Sequence, residues 1–96
     1  MKITVKTFLT LRQVMRNRAK LEMDVGNISL RELLGLLCKE FGEDLRQQIF
    51  DQKSSEVSAM LRVLVIGRHY TTLPDKLETQ LQNNDEVALF PPVAGG

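Results

Sequence analysis

From residue 2 to residue 8 the chain alternates, with Ile3, Val5 and Thr7 on one side and Lys2, Thr4, Lys6 and Phe8 on the other. A period of two is the mark of a strand with one buried face. Lys20 to Val25 repeats the alternation, and the two runs predict an antiparallel hairpin. The residues between them, Thr10 to Ala19, hold Arg and Asn and are expected to turn the chain back, with Leu11, Val14 and Met15 packed beneath the turn.

The period then changes. Leu30, Leu33, Leu34, Leu37, Cys38 and Phe41 lay one apolar stripe along about three helical turns. Ser29 with Glu32 three places later is a capping box, in which each side chain satisfies an otherwise orphaned backbone N–H, so a helix is predicted to start there. Gly42 is placed to end it. Gly35 costs roughly 1 kcal/mol relative to Ala at mid-helix, and either the stripe absorbs that or a strand approaches closely there.

A mobile connection is expected over residues 43 to 60, where Leu45 and Ile49 hint at a further helical turn or two and Asp51 to Ser58 is polar and turn-like. Leu61 to Ile66 is almost wholly apolar and reads as a strand covered on both faces, closed by Gly67. His69 to Leu73 predicts a short strand, and Leu77 with Leu81 a brief helical turn. Asn83-Asn84-Asp85 is a turn signal, because Asn tolerates positive φ. Glu86 to Phe90 alternates once more, with Val87 and Leu89 inward, until Pro91-Pro92 stops the ladder for want of an N–H. The predicted class is α+β in a β-grasp arrangement: a mixed sheet with an N-terminal hairpin, and one main helix packed across one face. The first and last strands should lie side by side in parallel.

At 96 residues the chain fits one domain, expected over residues 1–92, with residues 93–96 as a flexible tail. Thirteen Lys and Arg against 12 Asp and Glu give no general electrostatic case for nucleic acid or an anionic membrane as partner. The first 20 residues nevertheless carry Lys2, Lys6, Arg12, Arg16, Arg18 and Lys20 with no acid. That run reads as a solvated hairpin end, with a docking patch as the alternative. A lone cysteine, Cys38, rules out an internal disulfide and suits a reducing cytoplasm. No export signal is evident, and the apolar stretch Val63 to Ile66 is far too short to span a bilayer.

No self-contained active site is legible. Cys38 lies on the apolar helix stripe and reads as core. His69 is the sole histidine and has no neighbouring ligand in sequence, so no metal site is expected. Asp24, Glu32, Asp75 and Asp85 form no acid–base motif. What remains is the tail, Pro91-Pro92-Val93-Ala94-Gly95-Gly96. Its last four residues, when extended, reach at most about 14 Å. Gly95 and Gly96 have no side chains and can thread a narrow channel, with Val93 and Ala94 behind them, while Pro91-Pro92 stiffens the base. A free carboxylate resists nucleophilic attack, so transfer from Gly96 requires prior activation, an acyl-adenylate being the expected form.

The opening Ile3-Thr4-Val5-Lys6, the Thr10-Leu11-Arg12 segment, Ser29-Leu30-Arg31-Glu32-Leu33-Leu34, the strand ending at Gly67, and above all Asp85-Glu86-Val87-Ala88-Leu89-Phe90-Pro91-Pro92-Val93-Ala94-Gly95-Gly96 carry a resemblance. Over nearly its whole length the chain resembles the ubiquitin-like sulfur carriers, and most closely the small subunits of molybdopterin synthases. The resemblance implies a carrier that is not an enzyme on its own and binds no cofactor. A ubiquitin-activating-like adenylyltransferase would use ATP to adenylate Gly96, which becomes a thiocarboxylate. The large subunit of molybdopterin synthase would then receive the tail, and the thiocarboxylate would supply sulfur to the dithiolene of molybdopterin. Two turns depart from the family pattern: Ile66 stands where Asn is frequent, and Asn83-Asn84-Asp85 where Asp-Gly-Asp is common.

Conjugation through Gly96 to lysines, sulfur delivery to another pathway such as that of thiamine, and a binding module with an inert tail stay open as alternatives. For docking, Phe8, Leu64, Ile66, Ala88 and Phe90 fall opposite the inward positions Val5, Val63, Val65, Val87 and Leu89. If the helix covers only one side of the sheet, these residues form an exposed apolar patch beside the tail, with burial of Phe8 and Phe90 beneath the 43–60 connection, and of Leu64 and Ile66, as the alternative. Pro91 and Pro92 would extend the patch.

Overall fold

The structure, a computed structural model, describes residues 1–8, 10–51, 56–58 and 61–91. Its elements in chain order are β1 (Lys2–Thr7), α1 (Thr10–Val14), β2 (Lys20–Asp24), α2 (Leu30–Phe41), α3 (Glu43–Ile49), β3 (Arg62–Val65), β4 (Arg68–His69) and β5 (Glu86–Phe90). The strands form one sheet in the order β2-β1-β5-β3-β4. β1 pairs antiparallel with β2 and parallel with β5, as the element order requires, and β3 pairs antiparallel with β5. This is the ubiquitin-like β-grasp fold.

One apolar cluster holds the layers together. Ile3, Val5, Val63, Val65, Val87 and Leu89 enter it from the sheet, and Leu30, Leu33, Leu34, Leu37 and Cys38 from α2. Thr7 is the polar exception on the inward face of β1, and its Oγ1 donates to the carbonyl of Arg18 at 2.6 Å, so its burial leaves no orphan group. The capping box is present: Ser29 Oγ accepts from the Glu32 N–H at 3.2 Å, and Glu32 Oε1 accepts from the Ser29 N–H at 2.9 Å. At the other end Gly42 takes φ 93° and donates its N–H to the Cys38 carbonyl. A Cβ at Gly35 would meet nothing within 4 Å, so this glycine serves no close approach of a strand.

Four local expectations need correction. The chain does turn back over residues 10–19, through Arg16 and Asn17 at φ 60° with Leu11 and Met15 fully buried, but Thr10–Val14 form a short helix, α1, in what the sequence predicts as turn alone. Residues 43–51 are ordered structure rather than a mobile connection. α3 buries Leu45 and Ile49, and Phe50 bridges to Val57. The rest of that expectation, on residues 52–55 and 59–60, lies outside the described residues. The third strand is shorter than the apolar run and covered on one face only: Val63 and Val65 are buried, Leu64 is half-buried, and Ile66 is in the turn beyond. Finally, the short strand ends at His69, and Tyr70–Thr72 form a 3₁₀ turn. A second 3₁₀ turn, Lys76–Glu78, buries Leu77, and Asn84 turns at φ 72°.

Candidate functional site

β5 occupies the middle of the sheet, hydrogen-bonded to β1 on one side and β3 on the other. Its end therefore fixes where the tail leaves the domain. Pro91 is buried at that exit. The expected working residues Gly96, Gly95, Ala94 and Val93, together with Pro92, lie outside the described residues. The site is described here through its base.

Cross-strand partners share a face of a sheet. Lys20, Lys6, Ala88, Leu64 and His69 thus form one row across the face opposite the core. Phe90 and Arg62 belong to the next row, toward the tail. Phe8 follows β1 beside Phe90, and the two rings stack with centroids 4.3 Å apart and planes within 3°. Phe8 is 36% exposed, while Leu64, Ala88 and Phe90 are half-buried. The structure therefore brings four of the expected contact residues together at the tail base: Phe8, Phe90, Ala88 and Leu64.

Ile66 stands apart. Val65 pairs with Arg68, which leaves Ile66 and Gly67 as a two-residue hairpin turn with φ 49° and 76°. Positive φ at both positions is the type I′ combination, which favours Asn, Asp or Gly because a β-branched side chain crowds the backbone there. Ile66 is also 65% exposed, so core packing does not explain its presence. Ile66→Asn is expected to raise unfolding stability by about 1 kcal/mol, the left-handed strain relieved. Thermal unfolding would show it as a rise of about 4–8 °C, and an unchanged or lowered midpoint would show that Ile66 makes contacts worth more than its strain.

Which of the cations surround the stacked rings is what the sequence did not show. Lys6, Arg12 and Lys20 line a cleft with Phe8 and Phe90. Their charges were legible as part of a basic run, but their neighbours were not. Lys2 pairs with Glu22 at 3.8 Å, Lys6 with Glu86 at 3.2 Å, and Arg16 with Glu40 at 4.0 Å, its guanidinium also 5.1 Å from the centre of the Phe41 ring. The other weaker candidates behave as structural residues. Burial pushes the Cys38 thiol up, which disfavours the nucleophilic thiolate. His69 is half-buried at its strand end, with Nδ1 2.8 Å from Thr71 Oγ1.

Comparison with known proteins decides the family. The ThiS family pattern matches residues 5–96. The chain belongs to the ThiS family. A protein from Archaeoglobus fulgidus, named as a predicted sulfur carrier, is 32% identical over 80 residues, or 83% of this chain and 88% of that one. Among solved structures, SAMP1 from Haloferax volcanii aligns with a TM-score of 0.80 at 27% identity, over 100% of both chains. Small archaeal modifier protein 1 of Methanosarcina acetivorans aligns at 0.79 and 28% identity, over 99% of this chain and 96% of that one. This ThiS-family protein is thus of the sulfur-carrier and ubiquitin-like modifier kind, and its fold is theirs.

Proposed function

We propose that this protein carries sulfur as a thiocarboxylate on Gly96 for assembly of the molybdopterin dithiolene. The observation that carries the reading is the exit of β5. A strand hydrogen-bonded on both sides delivers Phe90-Pro91 to the edge of an apolar patch, and the sequence continues directly into Pro92-Val93-Ala94-Gly95-Gly96. A tail rooted this way presents a carboxylate to another protein at a fixed distance from a docking face. ThiS-family membership supports the carrier role, and the Pro-Pro-Val-Ala-Gly-Gly ending supports the molybdopterin pathway.

The chemistry is that of an acyl group activated and recharged. A carboxylate oxygen of Gly96 attacks the α-phosphorus of ATP held by the adenylyltransferase, and pyrophosphate leaves. A hydrosulfide-level donor then attacks the acyl carbon and expels AMP, leaving the thiocarboxylate. Within the large synthase subunit that sulfur attacks a precursor carbon and displaces the oxygen substituent there, which leaves with the bonding pair and takes up a proton, and water then cleaves the resulting acyl–sulfur bond. Sulfur stays on the pterin, and Gly96 returns to a carboxylate ready for another cycle. Phe8, Leu64, Ala88 and Phe90 provide the contact surface, with Pro92 extending it, while Ile66 lies in the turn at the other end of β5 and the buried Pro91 anchors the tail; Gly95, Ala94 and Val93 give the access.

Incubation with the cognate adenylyltransferase, ATP and a sulfur donor is expected to exchange one terminal oxygen for sulfur, read by intact-protein mass spectrometry. No mass change with an enzyme active on a known carrier would remove the reading. A second reading, conjugation through Gly96 to lysines, is favoured by the similarity to the small archaeal modifier proteins. Its mark is a Gly-Gly remnant on lysines of other proteins after digestion.

A further inference from the structure

The outward face of the sheet is electrostatically divided. All 12 Asp and Glu of the chain lie among the described residues. The three on this face are already engaged: Glu86 with Lys6 at 3.2 Å, Glu22 with Lys2 at 3.8 Å, and Asp24 with the N-terminal ammonium at 3.5 Å. At the tail end of the same face Arg12, Lys20 and Arg62 are exposed, and among the described residues none has an ion-pair partner. Arg12 and Lys20 line the cleft beneath Phe8 and Phe90, and Arg62 is the register partner of Phe90 on the other flank. Unpaired positive charge thus surrounds the two stacked rings where the tail departs.

The arrangement carries a cost that the fold alone does not require. Lys6 and Lys20 are directly opposite each other on β1 and β2, and like charges so placed destabilise an antiparallel pair. Glu86 relieves Lys6 but not Lys20. A neutral residue at position 20 would avoid that repulsion.

We propose that the tail base is a cationic collar for a partner protein that presents carboxylates around an apolar socket. Phe8 and Phe90 enter the socket, and Arg12, Lys20 and Arg62 meet its acidic rim. This rests on the carrier reading and adds the chemistry of the surface that receives the tail. Charge complementarity argues for the acidic rim, and the stacked pair for the apolar centre. A nucleic-acid platform fits less well, since the stack leaves each ring at most one outer face and Phe90 is half-buried, which offers little area to successive bases. Rim charges of this kind steer encounter and set salt dependence.

The test uses the full chain, ATP and the cognate adenylyltransferase, following pyrophosphate release. The charge-reversed triple variant Arg12→Glu, Lys20→Glu, Arg62→Glu is expected to raise KM for the carrier at least about tenfold, with kcat within about twofold. The wild-type KM should rise as salt goes from about 50 to about 300 mM, and the variant's should not. Lys39→Glu, on the exposed side of α2, makes the same kind of charge change away from the tail and should leave KM unchanged; circular dichroism confirms that each variant folds. A folded triple variant with wild-type KM and salt dependence would overturn the collar while leaving the carrier reading intact. No pyrophosphate release from the wild-type chain would remove the carrier reading and the collar with it. Binding of single-stranded RNA by the wild type, lost in the triple variant, would reassign the cations to nucleic acid.

Discussion

Deletion of Gly96 is expected to lower the rate of adenylation by at least about 100-fold while leaving the thermal unfolding midpoint unchanged. Each extended residue spans about 3.5 Å, so the shortened tail holds its new carboxylate that far short of the α-phosphorus. Misplacing a reacting group by even about 1 Å can cost about 100-fold. Stability should not follow, because the core formed by the described residues, with Leu89 of β5 and the buried Pro91 at its C-terminal end, is complete without Gly96. The shortened protein should still compete with the intact carrier for the adenylyltransferase, since its docking face is whole. Steady-state pyrophosphate release, with the truncated chain as added inhibitor, measures both effects. Full activity of the truncated chain would show that the terminal carboxylate is not the group being activated.

Leu89→Ala should produce the largest loss of stability among single changes near the tail, about 2–5 kcal/mol. Leu89 is fully buried on the central strand, between Thr7 of β1 and Val63 of β3 in register. Truncation removes apolar contacts on the helix side and leaves a cavity that two hydrogen-bonded ladders prevent from collapsing. Domains of this size are typically stable by only about 5–15 kcal/mol, so the variant should unfold at much lower urea concentration with an unchanged m-value. A shift worth less than about 1 kcal/mol would mean that the core around β5 relaxes far more readily than its packing implies.

The parts of this fold that were legible in the sequence are those whose pattern repeats over enough residues to have a single reading. The stripe from Leu30 to Phe41, with Ser29 and Glu32 at its start, specifies α2 with both ends. The alternations over residues 2–8, 20–25 and 86–90 specify three strands and their inward faces. α1 escaped because Leu11, Val14 and Met15 have helical spacing over barely more than one turn, too short to form without tertiary support. The run Leu61 to Ile66 misled for another reason. Apolar character marks what can be buried, and exposed Leu and Ile are common enough that Leu64 and Ile66 could not be distinguished from core residues by type.

Legibility of the candidate site divides in the same way. The tail is contiguous, so its chemistry is written in consecutive residues from Pro91 to Gly96. The docking surface is assembled across the sheet from residues distant in sequence. Glu86 neutralises Lys6 from the far end of the chain, and Arg62 reaches the Phe8–Phe90 stack only because β3 pairs with β5. No local pattern reveals which members of a basic run have a partner. The folded arrangement decides it, bringing Glu86 to Lys6 and Glu40 to Arg16 while leaving Arg12 and Lys20 without an ion pair among the described residues.

The position of β5 has a mechanical consequence. Force applied along the tail runs along the strand axis, and its neighbours β1 and β3 hold it from both sides. The two ladders therefore resist together, in shear, rather than opening one hydrogen bond at a time. An unfoldase that grips this C-terminus must break the centre of the sheet before anything else yields, and resistance to such pulling is set by the unfolding rate rather than by equilibrium stability. If the tail serves as the proposed carrier's handle, it is thereby fastened to the part of the domain least able to unravel from its end.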